Sequence, residues 1–258
     1  MQGNLPINSL LKKIQCNNKN IQECFKKSIE TLKDDFWNFD ILNQKIYSLQ
    51  HFKNKVSPFI VSKKWKREDE VEIDKIVGTD HLKYIGMTYL GMLEKGIKMD
   101  INIPLLLKNP QYYYDKEPKS PTIFYSEFNT QDNKKIAFVD GDGNHRTALA
   151  KVIRAFDKSY TKISGITKTE YVIDYNLMEK FYLIKKELEK YNYQVIISSK
   201  ERDLIENKEE NWLMWLYSYN IEIIGKNGIQ VYDDINKIDI IKYLPFFKKI
   251  KYFLGLSA

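Results

Sequence analysis

Residues 134–156, KKIAFVDGDGNHRTALAKVIRAF, constrain the fold more than any other stretch of the chain. Ile136, Ala137, Phe138 and Val139 form an apolar run of strand length, and Asp140-Gly141-Asp142-Gly143 breaks it. After Asn144-His145-Arg146, the residues Ala148, Leu149, Val152, Ile153 and Phe156 recur at three- and four-residue intervals, which predicts a helix with one apolar face. That face is expected to bury against the sheet containing the preceding strand. The first turn of a helix leaves backbone N–H groups unpaired, and the macrodipole adds partial positive charge there. His145 and Arg146 add side-chain donors at the same end, so the turn suits a phosphate.

At 258 residues, the chain has room for one substantial core with appendages. Hydrophobic residues at 43% and charged residues at 29% exclude a wholly disordered chain. The 41 Lys and Arg against 34 Asp and Glu give a formal charge of +7. Such an excess attracts nucleic acid, nucleotide or an acidic membrane surface, and is equally met by lysines scattered over solvated faces. Cys16 and Cys24 lack the spacing of a metal or redox pair, so free thiols in a reducing compartment and a cytoplasmic location are expected. No apolar run reaches the roughly 18 residues of a membrane span.

Along the chain, apolar spacing over residues 8–52 predicts two or three helices, which either pack on the main domain or dock a protein partner. Residues 63–70 read as a charged connector and 71–77 as a half-buried strand. A helix is expected over 82–93, capped near Gly96. Residues 101–107, with Pro104, read as an edge strand or packed loop, and 109–121 as a long loop carrying Tyr112, Tyr113 and Tyr114. Strands at 122–128 and 136–139 are expected to form a hairpin. Strand material follows near 163–166 and 170–175, then an amphipathic helix over 177–191 and a short strand at 195–197. Residues 211–219, NWLMWLYSY, read as a buried helix. Residues 221–224 and 229–232 read as a hairpin around GKNG, and the segment 238–254 as a docked terminal helix or a surface-lying tail.

This order of elements around residues 70–175, with the turn and helix start DGNHRTALA (142–150), resembles a ParB/sulfiredoxin-type domain. The resemblance implies an α+β fold, a small mixed sheet with flanking helices. A helical N-terminal segment (1–60) precedes the ParB-like domain (61–176), and an α/β extension (177–258) follows it. It implies that Gly143, Asn144, His145 and Arg146 contact the phosphates of a nucleotide such as ATP or CTP, with Mg²⁺ beside it. Asn144 stands where sulfiredoxins need a cysteine, which removes sulfinic-acid repair chemistry. Residues 177–258 show no helix-turn-helix pattern of the kind found in the partition branch.

The chemistry expected on this basis is NTP hydrolysis or DNA cleavage, with His145 and Arg146 acting on the phosphates and Asp74 or Asp80 as the acidic partner; Glu127 is a weaker candidate. Asp140 and Asp142 are either metal ligands or turn-forming residues. The alternative is a non-catalytic regulatory protein of a plasmid or phage, using the same fold as an interaction scaffold.

Overall fold

The expected hairpin forms between β4 (Phe124–Asn129) and β5 (Lys135–Val139), which pair antiparallel from Tyr125↔Val139 to Asn129↔Lys135. The structure is a computed structural model and describes residues 5–14 and 20–244. These divide into two units.

The first unit comprises residues up to Phe52, Lys64–Glu170 and Asn207–Trp212. In its mixed sheet, β3 (Ile76–Thr79) runs parallel to β5, and the short β1 (Tyr47–Ser48) runs parallel to β3. β6 (Lys162–Ile173) and β2 (Ile60–Glu72) continue the sheet beyond β4, in the order β1-β3-β5-β4-β6-β2. Four consecutive residues of β4, Tyr125 to Phe128, are buried, so this strand is covered on both faces.

Helix α8 (Asn144–Phe156) follows the glycine turn and is the centre of this unit. One buried face is expected of it, but ten of its 13 residues are buried. The cause is a layer of helices drawn both from the N-terminal segment and from residues 89–108. α1 (Ile7–Lys13), α3 (Asp40–Asn43), α5 (Tyr89–Lys95) and α6 (Met99–Lys108) all pack on α8, and α2 (Ile21–Thr31) packs on α5 and α6. Ile7, Leu10, Phe25, Ile29 and Leu42 therefore share one core with Leu149, Val152 and Ile153. α4 (Leu49–Val56) sets Phe52 against Phe128 and Phe138. Cys24 is a half-buried thiol on α2; Cys16 lies outside the described residues.

The second unit comprises Lys53–Lys63, Tyr171–Glu206 and the chain from Leu213 on. α9 (Tyr175–Glu189) buries Leu177, Phe181, Ile184 and Leu188, as their spacing predicts, and the Asp174 carboxylate caps it by accepting the Leu177 N–H at 2.8 Å. Phe181 and Tyr182 pack on Phe59. β8 (Trp212–Gly225) neighbours β7 (Gln194–Asn207) and pairs antiparallel with β9 (Gly228–Tyr232) through Gly225↔Gly228, the predicted hairpin.

Six segments depart from expectation. Of residues 211–219, Trp212 to Tyr219 are strand, because an aromatic run without periodicity fits either element and here no face of it is fully buried. The charged residues 63–70 belong to the 13-residue β2, whose side chains are mostly half-buried or exposed. Residues 71–77 are not one strand; a 3-10 turn at Ile73–Lys75 separates β2 from β3. Residues 101–107 are helical within α6: Pro104 costs one backbone bond, and burial of Met99, Ile103 and Leu106 holds the helix. Tyr112–Tyr114 lie in the short α7 (Gln111–Tyr114). The expected helix over 82–93 is a 3-10 turn, Leu82–Tyr84, followed by α5 with Gly96 as its C-cap. Of the terminal segment, Ile240–Tyr243 form a 3-10 helix, and residues from 245 on lie outside the described residues.

Candidate functional site

The turn between β5 and α8 is four residues long. β5 ends at Val139, and Asp140 and Asp142 stay tied to β4: the Asp140 N–H donates to the Phe124 carbonyl at 2.9 Å and the Phe124 N–H to the Asp142 carbonyl at 3.3 Å. The turn then needs two positive-φ positions, Gly141 at +100° and Gly143 at +122°. At Gly143 a Cβ would also lie 2.3 Å from Ile123 Cγ2. The extra Asp140-Gly141 pair is thus absorbed in a tight chain reversal.

Asn144 lies on the wall of the same cavity as His145 and Arg146, with its side chain bonded within the fold. Its Oδ1 accepts the Thr79 hydroxyl at 2.6 Å, its Nδ2 donates to the Gly141 carbonyl at 3.1 Å, and Thr79 Oγ1 accepts the His81 N–H at 3.0 Å. This buried side chain braces the turn against the end of β3.

His145 and Arg146 do reach open space. With Gly141, Asp142, Gly143 and Asn144 they line a cavity of about 520 Å³, whose other walls include His81 and Tyr84, Ile97 and Lys98, Tyr112 and Tyr113, and Ser120 and Pro121. The volume suits a small-molecule ligand. His145 Nε2 is 2.9 Å from the Tyr84 hydroxyl and 3.4 Å from the Lys98 N–H. A backbone N–H only donates, so Nε2 is an acceptor and the ring carries its hydrogen on Nδ1. Burial, with Lys98, His81 and Arg146 as positive neighbours, pushes the His145 pKa down to about 4. At neutral pH this imidazole is uncharged.

Arg146 supplies the charge. Its Nη1 donates to the Tyr112 hydroxyl at 2.8 Å and to the Pro121 carbonyl, both neutral acceptors. Among the described residues no carboxylate pairs with it. A half-buried guanidinium in a cavity, held only by neutral oxygens, is an anion site waiting for stronger acceptors.

The remaining expected residues are dispersed. Asp74 lies on the 3-10 turn Ile73–Lys75, off the cavity wall, and pairs bidentately with Arg154 at 2.7 and 3.0 Å. This places the expected acidic partner two turns of α8 from His145. Asp80 lies beyond β3 on a shallower surface depression, which it shares with Asp140 and Asp142. Asp140 accepts from the Ser126 hydroxyl. Asp142 alone of the carboxylates lines the main cavity. Glu127 is buried in β4 with Lys135 and Lys168. Among the described residues no group of three or more His, Cys, Asp or Glu side chains is arranged to hold a metal ion. These acids do not fit a preformed Mg²⁺ site.

Residues 98–109 supply wall positions that sequence reading missed: Lys98, Asn102, Leu105 and Asn109. Their spacing of four, three and four was the available signal, masked by reading Pro104 as a break. Lys151 was also missed as a buried group. Its ammonium lies 4.5 Å above the Tyr89 ring and donates to the Ile73 carbonyl at 3.2 Å and to Gln44 Oε1 at 3.4 Å. Burial pushes its pKa down to about 7.

No protein-family model, curated protein or solved structure matches the chain. Among the described residues no helix is long and apolar enough to cross a membrane.

Proposed function

We propose that the chain binds a nucleoside triphosphate, ATP or CTP, in the cavity at the start of α8, within a ParB/sulfiredoxin-like module over residues 61–176. The observation that carries this reading is Arg146: a guanidinium with no carboxylate partner, beside the positive end of a 13-residue helix, on the wall of a nucleotide-sized cavity. The fold proposal draws support from the parallel β3–β5 pair, the antiparallel β4–β5 pair and the glycine turn into α8.

The groups on the wall favour binding ahead of turnover. Asp142 is the one carboxylate there, and the neutral His145 already accepts at Nε2. Neither NTP hydrolysis nor DNA cleavage has a base held in position. A nucleotide-responsive regulatory role therefore fits the site better than a hydrolase or nuclease.

The test is titration of ATP and CTP, with inorganic tripolyphosphate, into wild type and Arg146→Ala. A loss of about tenfold or more in the variant supports the reading. Equal binding by both proteins, or none by either, overturns it.

A further inference from the structure

Four residues of α6 face the cavity: Lys98 at its N-cap, then Asn102 and Leu105, and Asn109 at its C-cap. Intervals of four, three and four put them on one stripe. About a quarter turn around the helix, Met99, Ile103 and Leu106 are buried in the core, so α6 is fixed in rotation and the stripe of Lys98, Asn102, Leu105 and Asn109 is held toward the cavity.

Two features of this stripe are unlike an ordinary solvated face. First, Ile97 and Leu105 are each 57% exposed, and both are on the cavity wall. They offer an apolar surface on which a flat ring can lie. Second, the Asn102 amide is fixed in orientation. Its Nδ2 donates to the Lys98 carbonyl at 2.6 Å, which leaves Oδ1 as an acceptor with no intramolecular donor among the described residues.

We propose that Asn102, with Leu105 and Ile97, forms a nucleobase subsite, and that Asn102 Oδ1 selects bases carrying an amino group at the purine C6 or pyrimidine C4 position, as adenine and cytosine do. This rests on the nucleotide reading of the Arg146 end. The chemistry follows from complementarity. Adenine and cytosine present an amino donor beside an unprotonated ring nitrogen; guanine presents a carbonyl oxygen where adenine has the amine, and uracil a carbonyl where cytosine has it. An acceptor facing a carbonyl loses its bond and meets repulsion, and a site built around a polar partner discriminates strongly against its loss.

The experiment compares ATP, CTP, GTP, UTP, purine riboside triphosphate and inorganic tripolyphosphate on the full chain, by calorimetry or competition. Purine riboside triphosphate is ATP without its 6-amino group. Wild type is expected to bind ATP and CTP about tenfold more tightly than GTP, UTP and purine riboside triphosphate. Asn102→Leu is expected to bring the nucleotides within about twofold of one another and to leave tripolyphosphate affinity unchanged. Equal affinities for all nucleotides in wild type, alongside tripolyphosphate binding, overturn the base subsite and leave the phosphate site standing. Discrimination that survives Asn102→Leu also overturns the subsite. Binding of none of the six overturns both readings. The purine riboside comparison needs no variant, so it decides the matter even if Asn102→Leu fails to fold.

Discussion

Arg146 and Tyr112 hold one another across the cavity: the guanidinium Nη1 donates to the tyrosine hydroxyl at 2.8 Å, and a second neutral oxygen, the Pro121 carbonyl, shares the same nitrogen. The residue proposed to hold a phosphate thus also fastens the segment between α6 and β4. A charged acceptor competes well for it, because ionic hydrogen bonds are roughly twice as strong as those to neutral oxygens.

Removing the tyrosine hydroxyl therefore frees Arg146 for a ligand. Tyr112→Phe is expected to raise affinity for ATP and for tripolyphosphate about three- to tenfold, the equivalent of one neutral hydrogen bond. Calorimetric titration measures this directly. Weaker binding in the variant would show instead that the hydroxyl contacts the ligand.

Proton titration of His145 is expected to leave binding unaffected through the neutral range. With its pKa pushed down to about 4 by burial and cationic neighbours, the ring is uncharged from pH 8 to pH 5.5. The unfolded chain titrates near 6.5 and so binds more protons between pH 4 and 6.5. The stability that goes with a neutral His145 is complete above about pH 6.5 and falls as pH drops toward 4. NMR titration of the imidazole resonances should give a midpoint below 5; a midpoint above 6 refutes this environment.

The two positive-φ glycines of the turn should respond differently to an added methyl. Gly143→Ala meets Ile123 as well as backbone strain and is expected to cost about 2 to 4 kcal/mol. Gly141→Ala, at +100° with open space around it, meets only the strain, about 1 kcal/mol. Urea denaturation of both variants checks the order, and the reverse order would contradict the packing of the turn.

Lys151 provides a test of the core with the opposite pH range to His145. Its pKa is pushed down from the usual 10.5 to about 7, so between pH 7 and 10 the unfolded state binds more protons, and stability rises with pH. Lys151→Met is expected to remove that rise and to stabilise the protein at pH 7 by roughly 1 to 2 kcal/mol. Denaturation midpoints at pH 6, 7 and 9 separate this from a lysine whose contacts to Ile73, Gln44 and Tyr89 are net favourable, which would make the variant less stable at every pH.

The centre of the fold was legible because residues 134–156 carry the signals at strand and helix period without interruption, and GKNG and the spacing of Leu177 to Leu188 are equally local. The site was legible as far as His145 and Arg146, which the glycine turn and the start of α8 mark locally, whereas their partners Tyr84, Lys98 and Tyr112 come from distant parts of the chain. Asn144 also reaches the cavity wall, but its bond to Thr79 was not legible, because chain proximity does not reveal a partner 65 residues away. Asp74 misled for the same reason, its partner Arg154 lying 80 residues away. The α6 wall was hidden by Pro104, since local rules weigh one lost backbone bond and cannot weigh the burial of Met99, Ile103 and Leu106 that outweighs it. The aromatic run at 211–219 lacks a period altogether, so only strand neighbours determine its form.

The ammonium of Lys119 is buried and bonded to the carbonyls of Tyr112 and Asp115 and to the Asp115 carboxylate, and it lies 4.9 Å from the Tyr112 ring centre. One cation thereby gathers residues 112–119 into a single piece beside the cavity. Such a piece has given up much of its conformational freedom in the fold itself, so that ordering residues 112–119 is no part of the cost of binding at Arg146. A ligand that displaces the Tyr112 hydroxyl from Arg146 then trades one bond for another against a wall already set in place.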